Sequence, residues 1–269
     1  MRKKIVDIQE LNAYQVAYGK ALDYKDYRNY IGVPSLFMTI FSFSICYYWW
    51  VALIAGLIGA WYGLKVILPK NVKRTYELKS LKERNRLINN LTQILTDESK
   101  TTLKAIKLAK ERTRGELRDD IELLEVQLQG ADKFQIEAAI QELSLKYEKD
   151  VVFSQYLEQI ETAIFEGRNN IDTLKQLKTY HNDILKKTDL FLKIKEGHFR
   201  DLKQMLMIMA VFIGAISFSF GFDIYYEAFA RSIIGWISGG IYVGIVMFLL
   251  RSFFVSYFDD QIMTVGRRK

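Results

Sequence analysis

The chain has 269 residues, of which 50% are hydrophobic and 26% charged, with a formal net charge of +7. Its single cysteine, Cys46, excludes an intrachain disulfide and a metal centre built from cysteines. Basic residues are interleaved with acids, which speaks against a nucleic-acid-binding stripe.

Residues 1–28 are polar, carrying Arg2, Lys3, Lys4, Lys20, Lys25 and Arg28 against Asp7, Glu10, Asp23 and Asp26. The first apolar stretch comes only after them, later than in a cleaved export signal, so the segment reads as a retained cytoplasmic one. From Asn29 to Leu64 there is no charged residue. A membrane-spanning helix needs about 20 apolar residues, so this stretch is too long for one and suits two. The break is placed at Tyr47-Tyr48-Trp49-Trp50, whose rings with polar handles suit a membrane interface. Residues 29–68 then form a first transmembrane hairpin, with Pro69 expected to mark its exit.

Residues 69–203 read as a helical domain, free of proline beyond Pro69. Apolar stripes recur at helical spacing. They begin with Leu78, Leu81, Leu87, Ile88, Leu91 and Leu95, and continue with Leu103, Ile106, Leu108 and Ala109. Leu117, Ile121, Leu124 and Leu128 follow, then Phe134, Ile136, Ala139, Ile140 and Leu143. Val152, Phe153, Tyr156, Leu157, Ile160 and Ile164 form a fifth, and a last runs from Ile171, Leu174 and Leu177 through Ile184, Leu185, Phe191 and Ile194. Thr96 or Asp97 is a candidate N-cap. Gly115, Gly130 and Gly167 each follow a helical run, where a left-handed C-terminal cap is favoured. Short turns between such helices predict an antiparallel bundle of about six helices. A long coiled coil would hold one heptad stripe without these glycines.

Two further uncharged stretches, Gln204–Phe222 and Ser232–Leu250, predict a second hairpin over 204–250. The tail, 251–269, ends in Arg267-Arg268-Lys269. The stretch 65–204 has 27 basic and 23 acidic residues, a net of +4, whereas the loop Asp223–Arg231 has two acids and one base. Positive segments stay inside, so both termini and the central domain are expected in the cytoplasm. The reading is an all-α integral membrane protein: four transmembrane helices in two hairpins flank a cytoplasmic antiparallel bundle of about six helices. The surplus of cations suits an anionic inner leaflet. Three glycine pairs, Gly59/Gly63, Gly235/Gly239 and Gly240/Gly244, each lie on one helix face and permit close packing, within the chain or between subunits.

Three blocks carry a resemblance. They are Ser99-Lys-Thr-Thr-Leu-Lys-Ala-Ile-Lys-Leu-Ala109, Leu128-Gln-Gly-Ala-Asp-Lys-Phe-Gln-Ile-Glu-Ala-Ala-Ile-Gln-Glu-Leu143, and Phe165-Glu-Gly-Arg-Asn-Asn-Ile-Asp-Thr-Leu-Lys-Gln-Leu177. These resemble the type II secretion system F domain, the cytoplasmic domain of inner-membrane platform proteins. One such domain between two hairpins is similar to the tight-adherence (Tad) pilus platforms. The chain departs from the pattern at Asp97-Glu98, where a glycine is usual, and at Arg168-Asn169, where a second glycine is common. The resemblance implies a cytoplasmic- or inner-membrane platform that couples a secretion or pilus ATPase to extraction of pilin-like subunits. It implies a second platform protein or further copies of the chain as partners within the lipid bilayer.

Enzyme chemistry is not expected. Gly-x-x-x-x-Gly-Lys occurs nowhere, so no nucleotide site is predicted. No cofactor or metal is expected, since His181 and His198 lack ligands at a recognised metal spacing and read as surface or interfacial residues. Asp119-Asp120 and Asp259-Asp260 read as solvated acids, because neighbours on a helix do not converge. A transporter or sensor with a helical regulatory domain is the alternative. The uncharged spans argue against it, because ion-coupled transport usually needs a charged group near the midplane.

Overall fold

A computed structural model describes residues 8–97, 99–167 and 170–260. Arg2, Lys3, Lys4, Asp7, Glu98, Arg168, Asn169 and the tail Arg267-Arg268-Lys269 lie outside the described residues. Among the described residues all regular structure is helical. In chain order the helices are α1 (Ile8–Ala17), α2 (Tyr24–Tyr27), α3 (Val33–Cys46), α4 (Trp49–Tyr62), α5 (Leu68–Leu95), α6 (Thr102–Lys110), α7 (Glu116–Leu128), α8 (Lys133–Lys146), α9 (Val151–Glu166), α10 (Ile171–Phe220), α11 (Phe222–Ile224) and α12 (Ile233–Tyr257). Short π segments join some of them, so that Tyr24–Cys46 and Trp49–Leu95 each run on as one helix. These two, with Ile171–Phe220 and Ile233–Tyr257, are long and apolar enough to cross a membrane, which marks a membrane protein.

The chain divides into two compact units. One contains Lys20–Arg74 and Lys193–Asp259; the other contains Tyr14–Gly19 and Thr75–Leu192.

In the first unit the chain turns at Tyr47-Tyr48. Tyr47 adopts the left-handed conformation, with φ 54°, and its N–H bonds the Phe43 carbonyl. The α3 and α4 helices then run side by side, because α4 presents glycines to α3. A Cβ added at Gly59 would lie 2.7 Å from the Pro34 carbonyl oxygen, and one at Gly63 would overlap that of Tyr30. The Ser35 hydroxyl donates to the Gly56 carbonyl at 2.9 Å, a further tie between the two helices. Both prolines sit two residues after a π segment, Arg28–Gly32 before Pro34 and Gly63–Ile67 before Pro69. A proline lacks an N–H and crowds the carbonyl four residues back, and the wider π turn relieves that conflict. Pro69 therefore lies within an unbroken helix. At the far end of α12, Arg74 and Lys195 both donate to the Tyr257 carbonyl, placing cations where the helix dipole favours them.

In the second unit six helices, α5 through α10, contribute to one hydrophobic core. Most members of the predicted stripes are inside it, among them Ile88, Leu117, Phe153 and Leu174, each fully buried. Three stripe members are exposed instead: Phe134 at 81%, Ile194 at 53% and Leu103 at 43%. At about 100° per residue, Phe134 falls on the side of α8 opposite Ile136, Ile140 and Leu143. Leu103 likewise falls away from the Ala105–Ile106–Ala109 face.

The turns also correct the sequence reading. The N-cap of α6 is Thr101, whose Oγ1 accepts from the Lys104 N–H, not Thr96 or Asp97. Asp97 instead closes a local turn by accepting from Ser99. Gly167 is a left-handed C-cap, with φ 68° and ψ 7°, and Gly130, with φ 70°, follows the end of α7. Gly115 does not terminate α6, which ends at Lys110; it is the N-cap of α7, with φ 65° and ψ −156°. A Cβ there would overlap the Ala17 carbonyl and lie 2.5 Å from the Tyr18 ring. The glycine thus lets residues 14–19 lie against the start of α7.

Candidate functional site

The second unit encloses a network of polar side chains whose members lie far apart in sequence. The α5 helix brings Tyr76, Ser80, Arg84, Asn85 and Asn89 to adjacent turns of one side. The α10 helix supplies His181 and Asn182, and the α8–α9 turn supplies Lys146, Tyr147 and Asp150. Asp150 is the anchor because it caps α9, its Oδ1 accepting from the Phe153 N–H at 3.1 Å. That cap fixes its Oδ2 to accept from Arg84 Nε at 2.7 Å and to meet His181 Nε2 at 3.0 Å. The side chains of Arg84, Asp150 and His181 are 11%, 8% and 0% exposed, so this ion cluster is removed from water. Burial alone pushes the Asp150 carboxyl up. The hydrogen bond from His181 and the charge of Arg84 outweigh it and bring the group down to about 2.

Behind His181 lies an amide relay. Asn89 Nδ2 donates to the Asn85 backbone carbonyl at 2.7 Å, which fixes that amide's orientation. Asn89 and Asn182 then exchange bonds, Nδ2 to Oδ1 in each direction, at 2.9 and 3.1 Å. Asn182 Oδ1 also accepts from Asn85 Nδ2 at 2.9 Å, leaving Asn85 Oδ1 facing His181 Nδ1 at 3.0 Å. Both ring nitrogens of His181 therefore have a hydrogen-bond partner. The relay clamps α5, the start of α9 and α10 in one register.

A second chain of contacts continues toward α7. Arg84 Nη1 donates to Ser80 Oγ at 2.6 Å, and the guanidinium lies over the Tyr147 ring, 5.0 Å from its centroid. The Tyr147 hydroxyl donates to Asp120 Oδ2 at 2.7 Å. Lys146 bridges Asp120 at 2.6 Å and Glu116 at 2.7 Å, and the Tyr76 hydroxyl donates to Glu116 at 2.7 Å. Burial raises the Glu116 carboxyl, but Lys146 and Tyr76 outweigh it and hold the group below its ordinary value. Burial pushes the Tyr147 hydroxyl up, and its neighbours Tyr18 and Asp120 add to that. Tyr14 and Tyr18 close the array, with rings 4.9 and 5.5 Å from that of Tyr76. A cleft of about 250 Å³ opens beside Tyr76, Arg84 and Tyr147. Among its charged walls, Lys149 pairs with Glu77 and Arg84 with Asp150. The arrangement suits locking helices together, since Arg84, Lys146, Glu116, Asp120 and Asp150 are engaged by one another or by His181, Tyr76 and Tyr147.

The sequence patterns do not anticipate these residues. His181, expected at a surface or interface, is wholly buried, and it has the carboxylate partner that its sequence neighbourhood lacks. Asp120, expected to be solvated, bonds Lys146 and Tyr147, whereas Asp119 and Asp259 are exposed. His198 is exposed, as expected. One signal is available: His181 is seven residues after Leu174 and four before Leu185, which places it on the buried stripe of α10. Nothing local points to Asp150 as its partner.

The glycines singled out from sequence are not brought together in one site. Gly59 faces α3, and Gly63 faces the π segment Arg28–Gly32 before it. Gly235 abuts the Phe229 carbonyl, and a Cβ at Gly239 would lie 3.1 Å from Ile45. Around the Cβ positions of Gly240, Gly244, Gly130 and Gly167 there is open space. Among the described residues no group of three or more His, Cys, Asp or Glu is placed to hold a metal.

Comparison with known proteins adds one relation. An uncharacterized protein of Bacillus anthracis is 47% identical over 264 residues, an alignment that covers 98% of this chain and 95% of that one. No family model matches the chain. No solved structure matches it either.

Proposed function

We propose that this chain, which belongs to one family with the uncharacterized Bacillus anthracis protein, is a platform protein of a type II secretion or type IV, Tad-like, pilus assembly machine. In this reading it sits in the cytoplasmic membrane with both termini and the charged unit in the cytoplasm. Its apolar helices form two hairpins, and the charged unit is an antiparallel bundle. A cytoplasmic ATPase acts on the bundle, and pilin-like subunits are lifted from the bilayer into a filament. A second platform protein or further copies of the chain complete the assembly. The protein itself is not an enzyme and needs no cofactor.

The observation that carries the reading is the sequence resemblance of the three blocks, set in a charged helical stretch between paired apolar segments. The polar clamp supports it. Its residues lie on α5 and α10, the two helices at whose Arg74 and Lys193 the chain passes between units. A part that transmits load needs such helices held in register, and buried ion pairs resist sliding because a broken pair leaves an unpaired buried charge. The transporter alternative would require a charged or broken apolar helix lining a path, and the uncharged stretches offer no such group.

The test uses the full chain in mild detergent and the secretion ATPase encoded beside it. Crosslinking is expected to join the ATPase to the charged unit. A neighbourhood without such an ATPase, prepilin peptidase or pilin-like genes, or a clean failure to crosslink with both proteins folded, would overturn the proposal.

A further inference from the structure

We propose that two copies of this chain pair through the α7–α8 face of the charged unit, about a two-fold axis running along these helices, so that Lys104 and Lys107 of each copy meet Glu137, Glu158 and Glu161 of the other. The inference gives a surface to the further copies named above, but rests on neither the pilus reading nor the membrane placement.

The centre of the face is apolar. The α7 and α8 helices have 13 and 14 residues, so each is about 20 Å long. They run antiparallel, since Lys146 at the end of α8 bonds Glu116 and Asp120 in the first turns of α7. Their inner sides supply Leu117, Ile121, Leu124, Ala139, Ile140 and Leu143 to the core. Their outer sides carry apolar residues as well. Leu123 and Val126 on α7 are 52% and 63% exposed, and Phe134 and Leu145 on α8 are 81% and 62% exposed. Ala138, one turn after Phe134, is exposed on the same side. Apolar surface gathered on the outside of a charged domain marks an interaction site. Two adjacent helices make a face of roughly 20 by 20 Å, small among stable interfaces, so the pair is weak and reversible.

The two edges of this face carry opposite charge at the same level. On the α6 side, Lys104 and Lys107 are exposed and have no ion-pair partner among the described residues. They line a cleft with Leu128 and Gln129, which sets them level with the end of α7. The acids on that side of α7, Glu122 and Glu125, are answered by Lys110. On the α9 side stand Glu137, Glu158 and Glu161. Burial first, and then the charges of Glu137 and Glu158, hold the Glu161 carboxyl above its ordinary value, which places the three acids together. Lys133, on the same side of α8, lies over the Phe165 ring, 5.3 Å from its centroid. Glu137 is in the second turn of α8, across the short turn from the end of α7, so the acidic edge lies level with the basic one.

Charge selects the occupant and its direction. A two-fold axis along the helices exchanges the sides of the face and keeps the level, so each basic edge meets the acidic edge of the other copy. An axis across the helices would set each edge against the same edge of the other copy. An anionic membrane surface would be repelled by the three glutamates, and a purely basic partner would set cations against Lys104 and Lys107. A second copy carries both edges and answers both.

The experiment mixes donor- and acceptor-labelled full chain in mild detergent and reads pairing by energy transfer on dilution. The parent is expected to pair, and more weakly as salt is raised. Lys104→Glu with Lys107→Glu, and separately Glu137→Lys with Glu158→Lys, should each lower the affinity at least tenfold, because both edges then carry one sign. Mixing these two variants should restore pairing, since one has two acidic edges and the other two basic ones, an outcome that misfolded variants do not give. Phe134→Ser should weaken the parent pair at least tenfold. A parent that stays monomeric, pairing indifferent to the charge reversals or to Phe134→Ser, or no recovery on mixing would each overturn the proposal. Crosslinking to the ATPase is scored separately, so failure of the pair and failure of the platform reading are told apart.

Discussion

Asp150→Ala tests whether the buried clamp holds the charged unit together. The substitution removes three hydrogen bonds at once: the α9 cap to Phe153, and the bonds from Arg84 and His181. Loss of an N-cap costs about 1 kcal/mol. Removing one partner of a buried ion pair costs about 3–5 kcal/mol, because the remaining charge is left in the interior. At 8% exposure for the Asp150 side chain and 0% for His181, water does little to screen that loss. The expected total is about 4–6 kcal/mol, a large part of a domain's stability of roughly 5–15 kcal/mol. Asp150→Asn keeps a good capping oxygen and removes only the charge, so it should cost about 2 kcal/mol less than Ala. The assay is amide hydrogen exchange of the full chain in detergent, which reads local opening without assuming all-or-none unfolding. Amides of residues 153–160 should exchange about 10³–10⁴ times faster in Asp150→Ala, at about 1.4 kcal/mol per decade. His181→Leu should give a similar effect, and the double variant little more than either, because both remove the same cluster. Exchange within tenfold of the parent, or additive effects in the double variant, would refute the reasoning.

Acid should loosen the same cluster. A carboxyl lowered from 3.8 to about 2 on folding contributes stability that is fully present above about pH 4 and is lost as pH falls toward 2. For Asp150 the loss is on the order of 2 kcal/mol, and melting followed by circular dichroism from pH 6 to 2 should show this arm flattened in Asp150→Asn; superimposable arms would count against it. Gly115→Ala should release residues 14–19, since its Cβ meets Ala17 and Tyr18 and its φ is +65°. Tryptic cleavage after Lys20 should then speed up at least tenfold, and an unchanged rate would contradict the packing described. Gly63→Leu should lower the melting temperature in detergent by forcing α4 from the Tyr30 carbonyl, whereas Gly244→Leu, which enters open space, should leave it unchanged. Equal effects of the two would show that the glycine faces are misassigned.

Sequence by itself determined the apolar helices, the helical character of the charged stretch and most of its buried residues. Those properties are local: an uncharged run of about 20 residues or a stripe at helical spacing needs no knowledge of what lies across the core. It also determined the turn at Tyr47-Tyr48, because aromatic residues with polar groups interrupt an otherwise continuous apolar run. Local patterns were too loose a guide at Phe134 and Leu103, where the angle around the helix excludes both from the buried face. Only the tertiary structure decided the rest. Arg84 and Asp150 are 66 residues apart, and Asp150 and His181 are 31 apart. No window of sequence reveals that a helix cap, an arginine and a histidine converge. The roles of the glycines were decided the same way. Gly63 and Gly244 look alike in sequence, but one meets a neighbouring backbone and the other open space. That difference arises because packing depends on what the rest of the chain brings to each face.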